Sequence, residues 1–412
     1  MPDNVRSNLG RWLRRHSLTL VATLGGAAGV AYAAARLGPA SSPPPVVAIA
    51  STELAAPGEQ PRDTVVTDTV QIALILDTSS SMNGLINQAR SHLWKMVDDI
   101  GKMTRTVDGK TRGVKIELAL FEYGNDTLSA DSGHIRQVLP LTTDLDKVSE
   151  QLEALFTNGG SEYAGQAIQT AVTSLAWSND PDALRFVFIA GNESFDQGPV
   201  PAAAAMQLAA GKDITVQLIH CGGDEPTWSA AALLARSDLM KIDQNQVAAH
   251  IPAPQDADIL RLGRDLNSTY VAYGAQGQAS FARQMKADES SAKLSAKSAL
   301  ERSQLKAKKA YKNESWDLVD AVEKDAAFLD KAKDADLPSE LQGKSAAEKQ
   351  AYVQAKAAER AALKKRIAEL EAERKAFLEA ERARRNTTDA PSLESEMMKG
   401  TKKAAAKKGY KL

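Results

Sequence analysis

Apolar runs alternate with amphipathic stretches along the N-terminal part of the chain. Residues 70–76 form a near-continuous apolar run, typical of a strand buried on both faces of a parallel sheet. Further strand-like runs lie at 115–123, 135–141, 184–190 and 214–220, and helix-like runs lie at 85–103, 145–156, 165–177 and 201–210. This alternation predicts an α/β fold with a doubly wound, mostly parallel sheet.

A carboxylate and two hydroxyls follow the first of these strands. In an extended segment Asp77, Ser79 and Ser81 would face the same way, because residues at i, i+2 and i+4 share a face. All three are hard oxygen donors, and such a set suits Mg²⁺, which prefers octahedral oxygen coordination. On these residues alone, an Asp-Ser N-cap for the helix that follows is an equal alternative.

The pentapeptide from Asp77 to Ser81 resembles the Asp-x-Ser-x-Ser element of von Willebrand factor type A (VWA) domains. The resemblance covers roughly residues 66–275. It implies a doubly wound domain with a metal-ion-dependent adhesion site (MIDAS) at the carboxyl edge of the sheet, where ligands bind in open α/β folds. It also implies Mg²⁺ as the ion, with Mn²⁺ or Ca²⁺ as alternatives, and a carboxylate of a protein partner at an open coordination position.

Two further loops would complete such a site. In the second loop, Ser161 follows a Gly-Gly pair and matches the Thr of the family. The third loop departs from the family pattern of Thr-Asp-Gly, because Gly191 stands at the Asp position and has no side chain. Asn192 or Glu193 would therefore have to reach the ion or its waters, and a metal-free scaffold is the alternative.

Few other residues are candidates for catalysis or ligand binding. Tyr163, Phe195 and Trp228 are predicted near the same edge, either as a recognition rim for a partner or as ordinary partly buried aromatics. The pair His220-Cys221 invites a nucleophile reading, but a small buried hydrophobe at a strand end is favoured. No phosphate-binding loop, nucleophile elbow or paired-carboxylate motif occurs. These features favour a binding module over an enzyme.

The N-terminal segment predicts export. Residues 17–35 carry no charge and would form about 28 Å of helix, close to the thickness of a bilayer core. Arginines precede this segment, which favours a cytoplasmic N-terminus. We therefore expect an anchor over residues 1–36, a Pro-rich linker over 37–68 and a single-pass protein of a bacterial inner membrane, displayed outside the cytoplasm. A cleaved signal peptide is the alternative.

Overall charge and cysteine content further limit the class of protein that this sequence can encode. Lys and Arg number 51 against 52 Asp and Glu, a net charge of -1, so no global basic signal points to nucleic acid. The single Cys excludes an internal disulfide framework.

The C-terminal region has a different composition, rich in Ala, Lys, Glu and Arg. We expect a VWA domain over residues 69–275 and a charged helical or coiled-coil extension over 285–412. A capping box at Ser345 opens a helix predicted to reach Arg385. Its apolar stripe comprises Leu363, Ile367, Leu370 and Phe377. The stripe fits a helical hairpin or a dimeric coiled coil equally, and it motivates a second function, an envelope scaffold that oligomerises through this arm.

Overall fold

The computed structural model describes residues 67–245, 250–385 and 391–412. The predicted anchor at 17–35 and the linker lie outside these ranges. None of the helices within them has the length and apolar character needed to cross a bilayer.

The described strands are β1 Thr67–Asp77, β2 Thr104–Val107, β3 Lys110–Tyr123, β4 Ile135–Thr142, β5 Leu184–Gly191, β6 Thr215–Cys221, β7 Leu239–Ile242 and β8 Tyr410–Lys411. The described helices are α1 Asn83–Gly101, α2 Leu145–Ala154, α3 Ala164–Ser174, α4 Ala202–Gly211, α5 Pro226–Ala235, α6 Asp256–Asp265, α7 Gly277–Leu294, α8 Ala296–Lys306, α9 Leu318–Lys324, α10 Phe328–Lys331, α11 Ala346–Arg385 and α12 Leu393–Ala406.

In the described ranges these strands form a mixed, mostly parallel sheet. Their order is β7-β6-β5-β1-β3-β2-β8, and β4 also pairs with β3. The strands β3, β1, β5, β6 and β7 run parallel, whereas β2, β4 and β8 are antiparallel additions. The strand order reverses at β1, so the carboxyl end of β1 lies at a topological switch point. The predicted fold class is confirmed.

Helices cover both faces of the sheet, as the apolar character of the central strands requires. Every residue of β5 is buried, and β1 is buried along nearly its whole length. Helices α3, α4 and α5 pack on one face. Helices α1, α2 and α12 pack on the other face, and α6, α8 and α11 continue the same core on the outer side of α1.

The helical C-terminal region is not a separate extension. Residues Asp63–Leu412 form one compact unit, and α12 packs against α1 while β8 extends the sheet beside β2. The expected boundary near residues 275–285 is therefore corrected, because a cut there would expose the side of α1 that α8 and α12 cover. The sequence signal was a change in composition, and composition does not report tertiary contacts.

Helix α11 begins where the sequence predicts, and the described residues are helical as far as Arg385. The Ser345 N–H and hydroxyl both donate to the Glu348 carboxylate, at 2.9 Å and 2.7 Å, and the Glu348 N–H donates to the Ser345 hydroxyl at 3.3 Å. The stripe residues Ile367 and Leu370 are 0% and 3% exposed, since α11 packs on α6 and α9 of the same chain. The stripe thus has an intramolecular partner.

Candidate metal-binding site

Asp77 is the last residue of β1 and lies between the ends of β3 and β5. Its side chain is completely buried. The Ser79 N–H donates to Asp77 Oδ1 at 2.7 Å, which fixes the orientation of the carboxylate. Its other oxygen, Oδ2, is buried and receives no hydrogen bond from the described residues. A buried carboxylate oxygen without a donor is energetically costly, so this atom requires a partner.

The two predicted hydroxyls lie beside this carboxylate. The Oγ atoms of Ser79 and Ser81 are 3.4 Å apart, and the Ser81 hydroxyl donates to Asn192 Oδ1 at 3.3 Å. Ser79 is buried whereas Ser81 is exposed. The first and third loops therefore meet through Ser81 and Asn192, with Ser81 on the solvent side.

The second loop contributes a residue that the sequence analysis did not select. Ser161 forms a bridge with Gly124, and both its N–H and its hydroxyl bind the Asp126 carboxylate, the N–H at 3.3 Å. The next residue, Glu162, is 3% exposed, and its carboxyl reaches the side chains of both Asp77 and Ser79. An acidic residue just before a helix is usually explained by the helix dipole, so its sequence position gave no signal of this role.

Gly124 makes the close approach of these groups feasible. Its φ is 80°, in the left-handed region, and a Cβ there would lie 2.8 Å from both Asp77 Oδ1 and Glu162 Cγ. Any larger residue would clash with the two carboxyl side chains while also straining the backbone. Gly124 thus leaves room for the Asp77 and Glu162 carboxyls to share one space.

The third loop lacks a side chain at Gly191 for a steric reason. A Cβ on Gly191 would lie 2.2 Å from the hydroxyl of Tyr123, which donates to the Ala190 carbonyl at 3.3 Å. The same Cβ would lie 3.1 Å from Asp77 Oδ2. Glu193 is exposed near the site.

The electrostatics of the site favour a cation. Burial raises the pKa of Asp77, and burial together with the neighbouring Asp77 carboxyl raises the pKa of Glu162. Neither carboxyl forms an ion pair with a Lys, Arg or His of the described ranges. Two buried carboxylates in contact cannot both stay ionised unless a positive charge lies between them. The residues therefore fit a divalent ion, held by carboxylate and hydroxyl oxygens.

A site of this kind depends on hydroxyls as well as on acids. Among the described residues, no group of three or more His, Cys, Asp or Glu side chains is arranged to hold a metal ion. Asp77 and Glu162 would supply the charge, and Ser79 and Ser81 would supply neutral oxygens. Such a mixed donor set suits Mg²⁺ or Mn²⁺ better than a softer metal.

The predicted aromatic rim is corrected. Phe195 and Trp228 are 0% and 1% exposed and pack edge to face in the core, with ring centroids 5.2 Å apart. The Trp228 indole N–H donates to the Glu193 carbonyl at 2.6 Å, which holds it under the third loop. Only Tyr163 is partly exposed. The sequence placed these residues at the correct edge but could not tell that α5 turns two of them inward.

An exposed aromatic side chain does lie in the second loop. Phe156 is 57% exposed, and its carbonyl accepts a hydrogen bond from Asn125 Nδ2 at 2.9 Å. The same loop is tied to the first loop, because the Asn158 N–H donates to the Thr78 carbonyl at 2.9 Å and the Ser80 N–H donates to the Gly159 carbonyl at 3.0 Å. Phe156 is thus held on a loop of the site.

The pair His220-Cys221 shows no arrangement for nucleophilic chemistry. Cys221 is buried, and burial raises the pKa of its thiol. His220 Nε2 lies 3.0 Å from the Asn192 carbonyl oxygen, so this ring supports the third loop. A thiol that stays protonated is a poor nucleophile, which agrees with the buried-hydrophobe interpretation.

Comparison with known proteins agrees with this geometry. The family model described as "von Willebrand factor type A domain" matches residues 71–231, the segment that contains all three loops. No curated protein matches the chain.

Solved structures with a similar fold include three of distinct origin. Proximal thread matrix protein 1 from the mussel byssus, with a zinc-occupied MIDAS motif, is 12% identical with a TM-score of 0.33, covering 44% of this chain and 43% of its own. The conserved hypothetical protein BatB from Bacteroides thetaiotaomicron is 16% identical with a TM-score of 0.33, and the match covers 42% of this chain and 90% of BatB. An aerotolerance-related membrane protein from Bacteroides fragilis is 15% identical with a TM-score of 0.30, and the match covers 43% of this chain and 93% of that protein.

This chain therefore spans less than half of the mussel protein. At these identities and TM-scores the three likenesses carry no functional argument.

Proposed function

We propose that this VWA domain protein, with its helical C-terminal region, is a metal-dependent protein-binding module. VWA domains commonly serve as interaction modules that carry a MIDAS. The observation that carries the metal dependence is the buried Asp77 carboxylate, whose Oδ2 receives no hydrogen bond from the described residues and whose side chain contacts the Glu162 carboxyl. A bound Mg²⁺ would supply the missing positive charge and would accept one further oxygen ligand from outside the protein.

That outside ligand is a carboxylate of a protein partner. Ser81 is exposed and Asn192 is partly exposed, so such a group would approach the ion from their side. Phe156 lies on the adjoining loop and offers apolar area to the same partner, as exposed aromatic anchors do at interfaces. The ion would provide specificity for the acidic group, and Phe156 would add affinity.

The domain acts by binding and not by turnover. Glu193 is the exposed carboxylate of the third loop, the place for a general base in a metal-assisted hydrolase. The nearby thiol of Cys221 is buried and does not serve as a nucleophile beside it. We expect no turnover of ester, peptide or phosphate substrates.

Metal uptake is the first test, and a fragment beginning at Asp63 suits it because that unit has its own core. Titration calorimetry with Mn²⁺ and with Mg²⁺ should show one bound ion per chain. Asp77→Asn keeps the acceptor for the Ser79 N–H and should abolish the uptake. Absence of binding by the parent fragment would contradict the proposal.

Partner binding is the second test. Capture of a partner by the immobilised fragment should be lost in EDTA and restored by excess Mg²⁺. Phe156→Ser should weaken capture by roughly 1–2 kcal/mol while leaving metal uptake unchanged, since its side chain contacts no ligand of the ion. Capture that survives EDTA would favour a metal-independent scaffold.

We further propose that the protein is displayed outside the cytoplasm of a bacterium from a single N-terminal anchor. The uncharged segment at 17–35 and the arginines before it support this. Protease added to spheroplasts should digest the domain, and carbonate washing should leave uncleaved chain in the membrane pellet. Protection in intact spheroplasts that lysis removes would contradict export.

A further inference from the structure

We infer that Glu162 is itself a ligand of the metal ion and supplies the second carboxylate of the site. This inference rests on the proposed metal binding and names the residue that replaces the third-loop acid. Glu162 is buried, contacts both Asp77 and Ser79, and reaches the site across Gly124. Its position after Ser161 places a carboxylate where a hydroxyl was expected.

The third loop cannot provide that carboxylate in this chain. A side chain at position 191 would meet the Tyr123 hydroxyl at 2.2 Å, so the site is closed to an acid there. The space that such an acid would need is taken by the Tyr123 hydroxyl, and Tyr123 as a whole is 1% exposed. The packing of this tyrosine therefore accounts for the missing acid of the third loop.

The contacts of Glu162 argue against a role as an ion-pair partner or a helix cap. No described Lys, Arg or His pairs with it, and its own N–H is bound separately, by Gln197 Oε1 at 3.3 Å. The carboxyl is thus not needed to cap helix α3, whose N-cap residue is Tyr163. Its contacts are with Asp77 and Ser79, both of which are donors of the proposed site.

Glu193 is the competing source of the second carboxylate. It follows Asn192 on the third loop and is exposed. An exposed acid can approach an ion only by ordering its side chain, whereas Glu162 is already held in place. Substitution by Gln removes the negative charge of either residue and keeps the shape of its side chain. The effect of each substitution on metal affinity therefore shows which of the two carboxylates binds the ion.

The experiment compares Glu162→Gln with Glu193→Gln in the fragment from Asp63, using Mn²⁺ alone and Mg²⁺ alone as probes. Calorimetry should show that Glu162→Gln weakens Mn²⁺ binding at least tenfold, and that Glu193→Gln changes it less than threefold. Thermal unfolding in EDTA should show no loss of stability for Glu162→Gln, because the amide can still hydrogen-bond with Asp77 and Ser79 while the repulsion between two neighbouring acids is removed. A structural role would instead lower the unfolding temperature in EDTA.

The outcomes distinguish this inference from the function on which it rests. If the parent binds Mn²⁺ and Asp77→Asn does not, but Glu162→Gln binds like the parent, the site exists and Glu162 is not a ligand. If Glu193→Gln loses binding instead, the second carboxylate comes from the third loop. If the parent takes up no metal, both proposals are wrong.

A rescue variant gives an independent check. In the Glu162→Gln background, Tyr123→Phe removes the hydroxyl that blocks position 191, and Gly191→Asp then places an acid on the third loop. Recovery of at least half of the lost Mn²⁺ affinity, on a logarithmic scale, would support the idea that the number of carboxylates is what Glu162 preserves. Failure of the Tyr123→Phe, Gly191→Asp pair to restore binding in a folded protein would contradict it.

Discussion

Two buried carboxylate clusters in this protein differ in the source of their positive charge. At the junction of α2, α7 and α8, Arg302 lies between Asp146 and Asp288, at 2.7 Å and 2.8 Å, and its guanidinium stacks on Trp94. At the end of β1, Asp77 and Glu162 contact one another without a basic side chain from the described residues. Asp146 is as buried as Glu162, at 3% exposed, and Asp288 is more exposed, at 20%, so greater burial of the Arg302 cluster does not explain the difference.

A further cluster of buried acids in the helical region is neutralised by an arginine, like the Arg302 cluster. Arg360 bridges Asp317 and Asp320, at 2.6 Å and 2.9 Å, and lies over the ring of Tyr270. In both places a guanidinium of the chain lies between two acids. The Asp77 and Glu162 pair departs from this pattern at a loop edge, which supports the proposal that its cation comes from solution.

The sharpest test of the comparison removes the internal cation. Arg302→Met keeps the apolar stem but leaves the buried Asp146 without a basic partner, whereas Asp288 keeps Lys306 at 2.6 Å. Breaking a buried ion pair in this way costs about 3–5 kcal/mol. Urea unfolding of the fragment from Asp63 should show this loss. Arg283→Met is the matched control, because Arg283 pairs with Asp144 and Glu150 at the same junction but is partly exposed.

The control should lose less than about 1 kcal/mol, as solvent-screened pairs do. Equal losses in the two variants would mean that helix packing, and not the buried charge, stabilises this junction.

A partly neutralised acid should show an intermediate effect. Burial raises the pKa of Glu301 to about 7, above its usual value of 4.5. Lys297 of its own helix lies 3.8 Å away, Lys95 and Asp99 approach from α1, and Glu394 approaches from α12. Because the folded state holds the proton more tightly than the unfolded chain, Glu301 lowers stability as pH rises from about 4.5 to about 7.

Glu301→Gln removes that dependence. The stability gained over the parent should be small at pH 4.5 and should grow to at most about 3 kcal/mol at pH 7.5, measured by urea unfolding across the range. A gain that stays constant with pH would show that Glu301 is not the titrating group.

The sequence predicted the fold of the N-terminal part better than it predicted the residues of the candidate site. The fold class and most strands followed from apolar periodicity, and the first loop followed from the spacing of Asp77, Ser79 and Ser81. Glu162 could not be predicted, because its role depends on the missing side chain at Gly124 and on the Tyr123 hydroxyl beside Gly191. These are contacts between strands and loops far apart in sequence, and no local pattern encodes them.

The C-terminal region shows the same limit. Its helices were predicted from composition and from the capping box at Ser345, but their packing onto the sheet was not. Arg302 and Arg360 appear in the sequence as ordinary charges of solvated helices. Only the fold brings them between carboxylates from other elements, so long-range ion pairs escape prediction even where helices do not.

The smallest effect on stability is expected at the metal site itself. Asp77→Asn keeps an oxygen for the Ser79 N–H and gives the Glu162 carboxyl an amide donor in place of a second acid. In EDTA its free energy of unfolding should lie within about 1 kcal/mol of the parent, because no existing ion pair is lost. Arg302→Met should be far less stable under the same conditions.

Addition of metal should then reverse the order of parent and variant. At an ion concentration 100 times the dissociation constant, binding should stabilise the parent by about 2.7 kcal/mol and the Asp77→Asn variant not at all. Thermal unfolding with Mg²⁺ and with EDTA measures the stability of each protein with and without the ion. A large loss for Asp77→Asn in EDTA would show that this carboxylate, like those beside Arg302, serves the fold and not an ion from solution.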